Sequence, residues 1–146
     1  MDDTSLISRV WLYIILLVMG VLSVFIFIWQ LMVLRGKAMP NCDGSYDNWH
    51  AQKGHYGIAF ADVFLACPTS LAGIILVFLN PQWGHYLLAL TSFWWVWANF
   101  MTTVNSLHFE KPRITFMWFL TYPFGILVGL AYISWNIFHF NAIYFP

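Results

Sequence analysis

Charged side chains are scarce in this sequence: they account for 8% of its 146 residues, whereas 61% are hydrophobic and 21% are aromatic. Soluble domains carry about a quarter charged residues. A chain with so little charge cannot cover its surface with polar groups, so the composition indicates that lipid is its natural solvent. The formal net charge is zero, which argues against nucleic acid as a partner.

Cysteine is also rare. Cys42 and Cys67 are the only two, and two cysteines do not make a disulfide framework. Cys42 belongs to a polar loop, whereas Cys67 is expected roughly 15 Å along a helix that starts near Gly57. A bridge between the two thiols would require that helix to unwind, so no disulfide is expected.

Four long apolar runs fill most of the chain, at about residues 11–34, 57–79, 85–107 and 114–138. Each is long enough for the roughly 20 residues that a spanning helix needs. The first connection is long and the next two are short, and short connections favour antiparallel neighbours. The sequence therefore predicts an all-α polytopic membrane protein, in which residues 1–146 form a single up-down bundle of four transmembrane helices.

Lysine and arginine are distributed unequally between the two ends of this predicted bundle. One end, with both termini, has only Arg9. The other end has the remaining basic residues, which are Arg35, Lys37, Lys53, Lys111 and Arg113. The positive-inside rule then places the long loop and the loop after the third run in the cytoplasm. We expect an integral multi-pass protein of the bacterial inner membrane.

Polar groups inside the runs are few, and Asp62 is the one acidic residue among them. Asp62 is a functional-site candidate because an ionisable side chain is expensive to bury in a membrane span. If the second helix enters near His55 and the third leaves near Leu107, Asp62 lies at the depth of Asn99 and Thr103. His55 shares a helical face with Asp62, as Asn99 does with Thr103. This pattern predicts a polar pocket that opens toward the cytoplasmic leaflet.

Each of these residues also has a structural alternative. Thr103 can bond its own helix backbone, Asn99 can tie two helices together, and Asp62 can be a neutral or paired carboxyl near the interface. His55 can be an ordinary interfacial histidine. The other histidines are interpreted as solvated or interfacial, and the tryptophans of the third run as bundle core or lipid-facing girdle. These residues are His50, His85, His108, His139, Trp94, Trp95 and Trp97.

Metal sites built from several protein ligands are not favoured by this sequence. The HExxH pattern is absent, and Asp62 is the only embedded carboxylate available for a di-metal site. Haem is a remaining possibility, since it needs one strong protein ligand, an apolar slot and polar groups for its propionates. His55 suits the ligand role because the small residues around it would leave room for a flat ring. They are Gly54, Gly57, Ala59 and Ala61.

Three short motifs resemble those of a known family. Trp49 precedes the segment His55-Tyr56-Gly57, Trp97-Ala98-Asn99 lies in the third run, and Arg113-Ile114-Thr115-Phe116 follows it. With the chain length and helix count, these motifs resemble the styrene oxide isomerases, small four-helix membrane proteins that bind haem b. The similarity covers roughly half of the chain.

The resemblance implies a function and a set of site residues. It implies that His55 is the axial ligand of haem b iron, with Gly57 and Trp97 in the cofactor site. Ferric haem then acts as a Lewis acid, and a small hydrophobic epoxide such as styrene oxide is isomerised to an aldehyde. Asp62, Asn99 and Thr103 are the candidates to orient the substrate oxygen. A homo-oligomer is expected as well, because a neighbouring subunit could cover the haem, and the resemblance implies a trimer.

This chain departs from the family at two site positions. The family has an asparagine near Ala61, where this chain has Asp62 one residue later, and a tyrosine where this chain has Thr103. Two alternatives therefore stay open: a membrane protein that binds haem or another lipophilic ligand without isomerase activity, and a non-catalytic subunit of a membrane complex. Gly125 and Gly129 would suit a close helix contact, either between subunits or within one bundle.

Overall fold

The computed structural model describes residues 5–37, 56–110 and 112–145. Within these ranges 89% of the residues are helical and no strand occurs. The prediction of an all-α chain is therefore confirmed for this part of the protein. Cys42, Trp49, His50 and His55 lie outside the described residues.

The first helix, α1, runs from Leu6 to Leu34. It begins at the N-cap residue Ser5, whose hydroxyl accepts a hydrogen bond from the Ser8 N–H at 3.3 Å. One face is buried, at the helical spacing of Leu12, Leu16, Met19 and Ser23. After the helix ends, Gly36 takes a φ of 72°, which a glycine adopts without strain.

The second apolar run forms one continuous helical segment with a π turn inside it. Helix α2 spans Tyr56–Ala61, the π turn spans Asp62–Ala66, and α3 spans Cys67–Leu79. Pro68 has no N–H to donate to the preceding turn. The Cys67 N–H instead bonds the Asp62 carbonyl, five residues back, which widens the turn just before the proline.

The third run forms helix α4, Pro81–Asn105, which continues into a second π turn at Ser106–Glu110. Helices α3 and α4 are antiparallel. They approach so closely that a Cβ atom at Gly84 would collide with the backbone of Val77. A Cβ atom at Gly73 would likewise meet the side chain of Leu88 at 2.9 Å. These glycines set the spacing of the two helices.

The fourth run is divided into several helices. Helix α5 spans Phe116–Thr121, α6 spans Phe124–Phe138 and α7 spans Phe140–Tyr144. The sequence predicted one helix over residues 114–138, but a turn at Tyr122-Pro123 interrupts it. Proline cannot donate to the preceding turn and clashes with it, so it starts a new helix instead. Trp118 anchors α5, since its Nε1 donates to Ser106 Oγ at 3.0 Å.

Helix α4 packs between α3 and α6, and α1 packs against α3 and α6. Gly125 and Gly129 serve this packing within one chain: Gly125 lies against the Asn99 side chain, and a Cβ at Gly129 would be 2.7 Å from the Ser92 carbonyl oxygen. The apolar core draws on α1, α3, α4, α6 and α7. Its buried members are Leu12, Leu16, Met19, Val77, Leu88, Trp95, Val128, Tyr132, Trp135 and Ile143.

Three helical segments of the described chain are long and apolar enough to cross a membrane: Leu6–Leu34, Tyr56–Leu79 and Pro81–Phe109. The apolar helix Phe124–Phe138 is shorter, at about 22 Å, against a hydrocarbon thickness of about 30 Å. Large apolar side chains also cover the outside of the molecule. Examples are Leu17, Phe25, Phe78 and Phe93, each more than 60% exposed. These properties are those of a multi-pass membrane protein.

Candidate functional site

Asp62 lies at the meeting point of three helical segments and is 8% exposed. Its Oδ2 atom accepts a hydrogen bond from Gln30 Nε2 of α1 at 3.0 Å. Its Oδ1 atom accepts one from the indole Nε1 of Trp94 on α4 at 2.8 Å. The carboxyl group is thus held from two sides by side chains of two other helices.

Both partners of Asp62 are neutral donors, and each occupies one carboxyl oxygen. The Trp94 indole can only donate, whereas the Gln30 amide can donate or accept, so these two contacts can be satisfied by an ionised or by a neutral carboxyl group. No lysine or arginine within the described ranges pairs with the carboxylate. An ionisable group buried without a cationic partner is costly in a membrane span, which makes Asp62 a candidate for a functional role.

The helical segment that carries Asp62 contains a π turn. Asp62 is the first residue of that turn, and the extra residue accommodated there rotates the following helix relative to an α-helix. Such π turns occur often at functional sites. The sequence contains the signal for a local irregularity, Pro68, six residues after Asp62.

The other two predicted catalytic residues bond their own helix. Asn99 Nδ2 donates to the Trp95 carbonyl at 2.9 Å. Thr103 Oγ1 donates to the Asn99 carbonyl at 2.6 Å. The Asn99 side chain also packs against Gly125 of α6. Among the described residues no hydrogen bond joins Asp62 to Asn99 or Thr103, so the observed polar cluster is Asp62 with Gln30 and Trp94.

The predicted cofactor-binding residues within the described ranges are both on the outside of the molecule. Gly57 is exposed, and a Cβ atom placed on it would meet nothing within 4 Å. Trp97 is 44% exposed, and its ring lies 5.1 Å from that of Trp94. Trp94 and Trp97, with Leu90 and Phe93, line a surface groove of about 310 Å³. The predicted iron ligand, His55, lies outside the described residues.

A second polar cluster surrounds His85, which the sequence predicted to be solvated or interfacial. His85 and Tyr132 are both 0% exposed, and His85 Nδ1 lies 2.7 Å from the Tyr132 hydroxyl. The other ring nitrogen of His85, Nε2, has no hydrogen-bond partner in the described part of the chain. The spacing of His85 from Leu88, Ser92 and Trp95 follows the buried face of α4.

The described residues contain no group of three or more His, Cys, Asp and Glu side chains that could hold a metal ion. A haem group differs from such a site in that one axial protein ligand is enough to hold its iron. The open surface at Gly57 and the exposed Trp97 ring are compatible with a flat apolar macrocycle lying on the outside of the second and third helices.

Comparison of the chain with protein-family models, with curated proteins and with solved structures found no match.

Proposed function

We propose that this chain is a four-span membrane protein that binds haem b through His55 and isomerises a small hydrophobic epoxide to an aldehyde. The observation that carries the proposal is Asp62, a carboxylate that is buried in an apolar helix and held by the neutral donors Gln30 and Trp94. In its ionised form Asp62 would support chemistry in which positive charge develops at carbon.

The apolar surface beside the start of the second helix supports the haem assignment. Tyr56 is 42% exposed and Phe60 is 54% exposed, and the open surface of Gly57 lies between them in sequence. Trp97 would add an aromatic face from α4. Ferric haem, when bound, supplies a Lewis acid for an epoxide oxygen. The motifs that resemble styrene oxide isomerases assign His55 as its ligand.

The protein's own residues would contribute orientation and charge. A carboxylate about 6 Å from a developing carbocation stabilises it by about 3 kcal/mol at an effective dielectric constant near 20. Fixed hydrogen bonds from Gln30 and Trp94 keep the Asp62 charge in place without reorganisation during the reaction. The Thr103 hydroxyl would have to leave the Asn99 carbonyl in order to donate to a substrate oxygen, whereas Asn99 Nδ2 has a second N–H beside the one that bonds the Trp95 carbonyl.

The exposed apolar surface of the helices also supports a proposed arrangement in the membrane. Exposed apolar side chains surround the described helices, and Phe124–Phe138 together with α5 would complete the fourth span of an up-down bundle. A haem on the outside of one chain would be partly covered by a second copy, so the proposal includes a homo-oligomer, with a trimer implied by the family resemblance. The bacterial inner membrane remains the proposed location.

A second function is favoured by Asn99 and Thr103. Because both side chains bond their own helix, and the family tyrosine is replaced by Thr103, the site has fewer free polar groups than epoxide chemistry would use. The alternative is a membrane protein that binds haem, or another lipophilic ligand, without isomerising epoxides.

The optical spectrum of the detergent-purified protein tests the haem assignment. We expect a Soret band in the wild type that is lost in His55→Ala and retained in His50→Ala, the neighbouring histidine control. A wild-type protein that stays colourless after haem supplementation would exclude both haem functions and leave binding of another lipophilic ligand or a non-catalytic subunit.

Conversion of styrene oxide to phenylacetaldehyde by the ferric protein then separates the two haem functions. The isomerase proposal expects turnover that falls in Asp62→Asn while the Soret band remains. A haem-loaded wild type that leaves a series of aryl and alkyl epoxides unchanged would favour the second function.

A further inference from the structure

The first turn of α1 meets the last residues of the fourth run at the end of the molecule opposite Asp62. There Ser8 Oγ lies 2.7 Å from His139 Nε2. The other ring nitrogen, His139 Nδ1, lies 2.8 Å from the Trp135 carbonyl oxygen. A carbonyl oxygen only accepts, so Nδ1 carries the proton and donates to it. Nε2 of the neutral ring is therefore the acceptor for the Ser8 hydroxyl.

Trp135 fixes the geometry of this pair. Its Nε1 donates to Ser8 Oγ at 3.0 Å and to the Ser8 carbonyl at 3.1 Å. Its indole stacks on the His139 ring at 4.3 Å and on the His85 ring at 5.3 Å. Because His85 is itself held by Tyr132, the indole between the two imidazoles is rigidly placed.

We infer that Ser8 and His139 form a second catalytic site, an acyl-transfer site for lipophilic carboxylic esters, which is independent of haem and of Asp62. The hydroxyl-to-imidazole distance is within the reach required of a nucleophile and its general base. A third group that orients the base is also present, the Trp135 carbonyl, in the position that a carboxylate takes in a Ser-His-Asp triad.

The reaction is ester hydrolysis in two steps. Ser8 Oγ attacks the ester carbonyl carbon, its proton passes to His139 Nε2, and the alcohol leaves with that proton as the C–O bond breaks. Water then attacks the acyl group on Ser8, gives a proton to His139, and releases the carboxylic acid as Ser8 regains its proton. The Trp135 N–H donates to Ser8 Oγ at 3.0 Å, and it would have to shift from Oγ to the former ester carbonyl oxygen to stabilise the negative charge that forms there.

The surroundings indicate the class of ester. Ser8 and His139 are each half-buried. The residues beside them in sequence form an apolar rim, with Leu6 at 78%, Ile7 at 71% and Phe138 at 84% exposure. An acyl chain delivered from the membrane surface would contact this rim, whereas a charged water-soluble ester would gain nothing from it.

Fluorophosphonate labelling of the full chain in detergent or liposomes tests the inference. The probe transfers its phosphonyl group to an activated serine with loss of fluoride, and peptide mass spectrometry locates the modified residue. We expect modification of Ser8 and not of the neighbouring Ser5, and hydrolysis of p-nitrophenyl butyrate that is lost in Ser8→Ala. An unmodified Ser8 in the folded wild type would overturn the inference.

The variants separate a catalytic dyad from a structural contact. His139→Asn should slow labelling of Ser8 by about 100-fold or more, whereas His108→Asn, an exposed histidine outside the cluster, should not. Trp135→Phe keeps a stacking ring but removes the donor, and should lower ester turnover by about 100-fold. Size exclusion and far-UV circular dichroism confirm that each variant is folded. Unchanged labelling in folded His139→Asn would show that Ser8 is not activated by the imidazole.

Discussion

Replacement of Trp94 by phenylalanine removes one of the two donors that hold the Asp62 carboxylate. The bond is 2.8 Å long and links an N–H group to a carboxyl oxygen in a side chain that is 8% exposed. A hydrogen bond to a charged group contributes about 1.5–3 kcal/mol. We therefore expect Trp94→Phe to destabilise the protein by about 2 kcal/mol, plus a smaller loss from the lost ring area.

A double-mutant cycle with Asp62→Leu isolates the hydrogen bond from the ring area. In the Asp62→Leu background the same Trp94→Phe change should cost less than about 0.5 kcal/mol, because no carboxylate is left unpaired. The assay is unfolding by SDS in mixed micelles, followed by far-UV circular dichroism. Trp83→Phe, at a 60% exposed tryptophan, is the matched control and should change stability little. An equal cost of Trp94→Phe in both backgrounds would refute the assigned bond.

Two other predictions use the same unfolding assay. Gly84→Ala should lower the free energy of unfolding by more than the roughly 1–3 kcal/mol typical of an overpacked core, because the new methyl group meets the backbone of Val77. The control Gly57→Ala, at an open surface position, should be neutral or slightly stabilising. Tyr132→Phe should cost about 1–3 kcal/mol, because it leaves the Nδ1 atom of the buried His85 without its partner; an unchanged stability would show that the pair is not bonded.

The long helices could be predicted from the sequence because each run is apolar over more residues than a soluble helix needs. The first three runs are helical over Leu6–Leu34, Tyr56–Leu79 and Pro81–Phe109. The helix starts differ from the prediction where polar residues join the helix, as at Ser8 in α1 and at Gln82 in α4. A hydropathy pattern begins at the first apolar residues, whereas the hydrogen-bonded helix begins earlier and includes the polar residues before them.

The division of the fourth run could have been found by weighing Pro123 more heavily. Apolar periodicity continues through Tyr122 and Pro123, so hydropathy alone favours one helix. The helix is nevertheless interrupted, because a proline ring inside the run removes a backbone hydrogen bond and clashes with the preceding turn. Pro68 has the same chemistry but a different outcome: a π turn absorbs it within a continuous segment.

The candidate site was predictable only in part. Asp62 was singled out by its charge inside an apolar run, which is a local signal. Its partners were not, because Gln30 and Trp94 are each 32 residues away in sequence and any of several tryptophans had the same local pattern. Depth along antiparallel helices predicted Asn99 and Thr103 as neighbours, but depth does not determine which face of a helix a side chain occupies.

The Asp62 cluster and the Ser8–His139 pair lie at opposite ends of the same bundle, which makes the two proposals separable: Asp62 bonds Gln30 near the C-terminal end of α1, whereas Ser8 lies in the first turn of α1. Asp62 is near the start of the second run and His85 near the start of the third, and because these helices are antiparallel their starts are at opposite ends. Between these two ends of the bundle lies a separate buried hydrogen bond, from Ser23 Oγ to Ser70 Oγ at 3.0 Å. Asp62→Asn should therefore leave Ser8 labelling unchanged, and Ser8→Ala should leave the haem spectrum unchanged.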